Sequence, residues 1–124
     1  MYISQSKIVL EYLKFLLDEY GFNYRFQMFD SFHDFHGPIE AYSFYNRYGC
    51  FTLHHIVQRG EWELYISDHV STNQSELTAN KIDLTLYISR PCWRIRTFLK
   101  RLSYSIKYQI SSTGHFFGIQ AINE

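Results

Sequence analysis

Near the start of the chain, apolar side chains recur at helical spacing: Ile8, Val9, Tyr12, Leu13, Phe15, Leu16, Leu17 and Tyr20. Ser4 and Ser6 precede them as candidate caps, and Gly21 stands where a helix C-cap belongs, so the pattern predicts a helix over about 5–20. From Phe22 to Met28 the period changes to two, with Tyr24 and Phe26 alternating with Asn23, Arg25 and Gln27. That is the signature of a half-buried strand. Residues 30–41 carry Asp30, Ser31, Asp34, Gly37 and Pro38, turn-forming chemistry that predicts the longest loop.

Three aromatic and β-branched runs follow, at about 42–47, 50–57 and 61–67. Tyr48-Gly49 and Arg59-Gly60 separate them, which predicts two tight hairpins. Two-residue turns at those pairs would set Phe44 opposite Leu53, His55 opposite Leu64 and Val57 opposite Trp62. One face is then apolar. The other carries Ser43, Tyr45, Thr52, His54, Ile56, Glu61, Glu63 and Tyr65, and it is expected to be open to solvent or to a partner.

Residues 68–80 read as a polar loop. Ile82, Leu84, Leu86 and Ile88 predict a further strand, with a short helical turn as the alternative. Ser89 and Pro91 suggest a helix start, since proline in the first turn sacrifices no needed N–H. Ile95, Phe98, Leu99, Leu102, Ile106 and Ile110 then form a helix stripe flanked by Arg90, Arg94, Arg96, Lys100, Arg101 and Lys107. Phe116 to Ile122 predicts a short closing strand. The simplest assembly is a single α+β domain over 1–124, a two-layer sandwich of a mainly antiparallel sheet with two helices on one face.

Composition changes this picture in two ways. Eleven Phe, eleven Tyr and two Trp make the chain 19% aromatic, more than a core this small needs, so some rings are expected at a binding surface. Charge is also uneven beneath a net value of zero: residues 1–83 hold six Lys/Arg against eleven Asp/Glu, and residues 84–124 hold six against one. Charged partners, or one half neutralising the other, would follow. Glu11 and Lys14 interrupt the only apolar stretch that could serve as a signal peptide, and no run is long enough to span a membrane. Cytoplasmic location is the expectation. Cys50 and Cys92 lack metal or disulfide spacing and are expected to be buried thiols.

Candidate chemistry is sparse. Asp30, His33, Asp34 and His36 are all potential metal ligands within seven residues, yet no distal ligand accompanies them, so no metal or cofactor is expected. His54, His69 and His115 with Lys81 or Lys107 could form a ribonuclease-like acid and base, although nothing in their spacing requires it. No GxSxG, Walker or GxGxxG pattern is present, so the chain reads as a binding module and not an enzyme. The basic helix at about 90–107 offers nucleic acid as the alternative partner.

Tyr48-Gly49-Cys50-Phe51-Thr52-Leu53 and Gly60-Glu61-Trp62-Glu63-Leu64-Tyr65-Ile66-Ser67, with the chain's size and aromatic richness, resemble the small cytoplasmic immunity proteins of bacterial polymorphic toxin systems, including contact-dependent growth inhibition. The resemblance is one of style and transfers no individual residue. It implies a protein that binds one cognate protein toxin, often a nuclease, and blocks it without chemistry of its own. A face carrying Tyr45, His54, Ile56, Glu61, Glu63 and Tyr65 would suit a basic partner, its carboxylates standing in for phosphate and its rings serving as anchors.

Overall fold

The computed structural model describes residues 5–32, 35–70, 80–87 and 94–122. The fold is α+β, and the chain divides into two compact units, one of residues 1–22 with 83–124 and one of Asn23–Ile82.

The second unit is a five-stranded antiparallel sheet in the order β1-β2-β3-β4-β5, formed by Asn23–Phe32, Phe35–Asn46, Gly49–Ile56, Glu61–Ser67 and Asn80–Ile82. Two of its connections differ from the sequence expectation by the same even number. The first turn is Arg47-Tyr48, because the Asn46 side-chain oxygen accepts the Tyr48 and Gly49 N–H groups at 2.8 and 3.2 Å and bends the chain one residue early. The second is a four-residue turn, in which the Ile56 carbonyl accepts the N–H groups of Arg59 and Gly60, with Gly60 at φ +66°. Phe44 therefore faces Phe51, and His55 faces Trp62. Each partner shifts by two residues, so every side chain stays on its expected face.

The loop expected over 30–41 is a correction. Asp30, Ser31, Gly37 and Pro38 lie inside two long antiparallel strands, β1 and β2, whose register pairs Phe32 with Phe35. Between the pairs Phe29/Ile39 and Ser31/His36, β2 carries one more residue than β1, a bulge that absorbs Gly37 and Pro38. Gly37 has φ +133°, a backbone conformation in which any other residue would be strained. His33 and Asp34 lie outside the described residues, as do the side chains of Asp30 and His36.

The other unit contains α1 (Ser6–Leu13), α2 (Phe15–Tyr20), α3 (Ile95–Thr113) and a small hairpin of β6 (His115–Phe116) and β7 (Ile119–Gln120). The single helix expected over 5–20 is broken at Lys14, whose carbonyl accepts Leu17 N–H in a tighter, three-residue closure. Gly21 closes α2 in the left-handed conformation, as expected. Arg94 is extended, so α3 begins at Ile95; Ser89, Pro91, Arg90 and Cys92 lie outside the described residues. The strand expected from Ile82 to Ile88 ends at Ile82, and Leu84–Leu86 form a short 3-10 turn. The closing strand is the β6-β7 hairpin, turned by Phe117 and Gly118, both at positive φ.

Phe98, Leu99, Leu102, Ile106 and Ile110 line the buried side of α3, as its periodicity predicts. Arg96 pairs with Glu11 of α1, and the Lys107 ammonium lies 4.7 Å over the Phe15 ring. Phe98→Ala and Leu102→Ala are each expected to cost about 2 to 5 kcal/mol through lost burial and a residual cavity. Lys100→Ala, at an exposed position, should stay within about 0.5 kcal/mol. Urea unfolding of the three variants measures this difference.

Candidate functional site

Five of the six side chains expected at a partner surface are brought together on β3 and β4. Register places Ile56 beside Glu61, His54 beside Glu63, and Thr52 beside Tyr65. Tyr45 stands apart, toward the other end of β2, opposite Cys50.

Their accessibility divides them. Tyr45, Glu61 and Glu63 are half-buried, whereas His54, Ile56 and Tyr65 are core residues with 0, 4 and 5% exposure. The expectation of an open face is thus corrected for its centre. The physical cause lies in the segment read as a loop: Phe29, Ile39 and Ala41 join Tyr65 in a buried apolar cluster on that same face. His54 packs its ring against Phe29 and Tyr65, with centroids at 6.3 and 4.6 Å.

Glu63 is the most constrained of the accessible groups. One carboxylate oxygen accepts the Tyr65 hydroxyl at 3.3 Å, and the other pairs with Lys81 of β5. Burial first, and then the Glu63 charge, push the Tyr65 phenol well above its ordinary value, so it remains a donor to that carboxylate. Glu61 lies two residues earlier on the same face. The Asn23–Ile82 unit holds four Lys/Arg against seven Asp/Glu, a net charge of −3.

The opposite face holds a constellation that sequence reasoning missed. Glu40 is fully buried. Its Oε2 accepts the Tyr42 hydroxyl at 2.5 Å, and its Oε1 accepts His55 Nδ1–H at 2.6 Å. The His55 ring stacks on Trp62, centroids 4.5 Å apart and planes 21° apart. Met28, Glu40, His55 and Trp62 form one row across β1 to β4. A buried carboxylate is tolerated only when paired and hydrogen-bonded, and this one is held from two directions. The signal available in sequence was Glu40 itself, a charge followed by the apolar run from Ala41; it was hidden because its segment read as a loop.

Of the residues considered for a ribonuclease-like set, His54 is buried in the sheet, and His115 is exposed after α3 with Nδ1 donating to the Thr113 carbonyl at 3.0 Å. Among the described residues no three metal-ligating side chains converge. Cys50 is buried beside Thr52, and burial raises its thiol, which disfavours thiolate chemistry. No described helix is long and apolar enough to cross a membrane.

Tyr65 yields a pH prediction. In the unfolded chain it loses its proton near pH 10, whereas in the fold it keeps it, so above that pH the unfolded state is favoured. Stability should fall by up to about 1.4 kcal/mol per pH unit from this group alone. Tyr65→Phe should show a correspondingly smaller fall between about pH 10 and 11, checked by urea unfolding at stepped pH. Equal falls would mean that Tyr65 ionises freely in the fold. Comparison of the chain with protein-family models, with curated proteins and with solved structures gives no match.

Proposed function

We propose that this chain is a protein-binding module that recognises a basic surface of a partner protein and acts by covering it, in the manner of a small cytoplasmic immunity protein with its cognate toxin. The observation that carries this reading is Glu63, an accessible carboxylate held in place by the Tyr65 hydroxyl and Lys81, with Glu61 beside it in a unit of net charge −3. A recognition group whose rotamer is already fixed loses little entropy on binding. The negative field of the unit would draw in a basic partner and set the rate of encounter.

The roles of the six residues follow from their burial. Tyr45, Glu61 and Glu63 are contact residues. His54, Ile56 and Tyr65 support them from within the core, with Tyr65 acting through Glu63. No cofactor enters the proposal. The partner's catalytic site is blocked by occupation, so the module needs no reaction of its own.

The test uses the protein encoded beside this chain in its genome as the candidate toxin. Growth protection on co-expression, and a stoichiometric complex, are the expected results. Glu61→Lys combined with Glu63→Gln, which keeps an acceptor for the Tyr65 hydroxyl, should slow association about tenfold at low salt and flatten its salt dependence. Surface plasmon resonance at two ionic strengths reads both effects. Growth protection without a complex, or a complex whose association rate ignores both substitutions, would contradict this account of the surface.

A further inference from the structure

The other compact unit presents a surface of opposite character. At 3.6 residues per turn, α3 turns Arg96, Lys100, Tyr104, Lys107 and Tyr108 to one side, opposite its buried stripe, and all five are exposed. Arg101 borders this arc and is half-buried. Tyr104 and Tyr108 are the most open rings of the described structure, at 60 and 74% exposure. The arc contains no carboxylate, because α3 contains none. Glu11 of α1 engages Arg96, and Lys100 and Lys107, the latter with its ammonium also over the Phe15 ring, are the exposed lysines that border the two rings.

We propose that this arc binds a short single-stranded segment of nucleic acid, with Tyr104 and Tyr108 as stacking platforms and Lys100 and Lys107 contacting its phosphates. The surface lies on a different unit from the acidic sheet, so this inference goes beyond the protein-binding reading and does not depend on it. Three features favour an unpaired strand. The two rings are one helical turn apart, about 6 Å along the axis, whereas stacked bases in a duplex strand lie about 3.4 Å apart and have no free faces. Cations and rings alternate along the stripe, and the Lys100 ammonium already sits 5.9 Å from the Tyr104 ring centroid, so phosphate and base would be met at neighbouring points. Lysine is depleted from the cores of protein interfaces, which argues against a second protein partner here.

The test is fluorescence anisotropy of the full chain with labelled 20-nucleotide dT and U oligomers, a 20-base-pair duplex, and poly-L-glutamate. Binding of one or both single strands is expected, with log K falling by about 1.4 for each tenfold rise in salt, as about two phosphate contacts require. Tyr104→Ala and Tyr108→Ala should each weaken it about tenfold, in line with the loss of one stacked base. Tyr104→Phe and Tyr108→Phe should restore it, since stacking needs the ring and not the hydroxyl. Lys100→Ala should lower the salt slope by about 0.7. Because these side chains are exposed, circular dichroism and melting temperature should not move. A preference for dT or U identifies which single strand is bound and supports the proposal equally. Three results overturn it: no binding to either oligomer at 50 mM salt, duplex bound as tightly as single strand with the tyrosine variants silent, or poly-L-glutamate bound as tightly with the same tyrosine dependence.

Discussion

The sheet depends on one buried carboxyl group. Glu40 lies near the middle of β2 with no exposure, and its two oxygens are occupied by Tyr42 on its own strand and His55 on the next. Either oxygen left without a donor would cost several kcal/mol. This requirement acts as a register lock. Sliding β2 against β3 by one residue would carry Glu40 away from His55 and move every apolar side chain to the other face. His55 transmits the constraint to β4 by stacking on Trp62. The placement of Glu61 and Glu63 on the far face is a consequence.

That lock separates the two faces into different tasks. On its own side it sits among Tyr42, Phe44, Phe51, Leu53 and Leu64, all fully buried. On the other side, the apolar cluster of Phe29, Ile39, Ala41 and Tyr65 closes the centre, while the first residues of β4 reach solvent. Tyr65 belongs to both descriptions: its ring fills the cluster and its hydroxyl holds Glu63. A contact surface built this way draws its rigidity from the core beneath it, and the half-buried carboxylates need no ordering of a loop to become recognition groups.

Much of this was legible in the sequence, for identifiable reasons. Alternation over 42–47, 50–57 and 61–67 assigned the faces correctly even though both turns were misplaced, because each error moved the register by two residues and the side-chain period is two. The buried stripe of α3 and the cap at Gly21 also followed directly from residue type. What failed was the stretch 30–41. Gly37 and Pro38 are local signals for a break, and they do break the ladder, but tertiary pairing turns the break into a bulge. With that strand unseen, Ile39 and Ala41 were missing from the face that they close, and Glu40 was missing from the pair that it forms. Lys14, by contrast, interrupts a helix without any residue that a pattern could detect.

The central claim is that Glu40 and His55 act as one unit in holding β2, β3 and β4 in register. A double-mutant cycle with Glu40→Leu, His55→Leu and the double variant, in which neither leucine can hydrogen-bond, measures that coupling directly by urea unfolding. The two single substitutions should be strongly non-additive, with a coupling of about 1 to 3 kcal/mol, because each alone strands the other's buried polar group. Additive losses, within about 0.5 kcal/mol, would show that the two side chains are independent and that the register is held elsewhere.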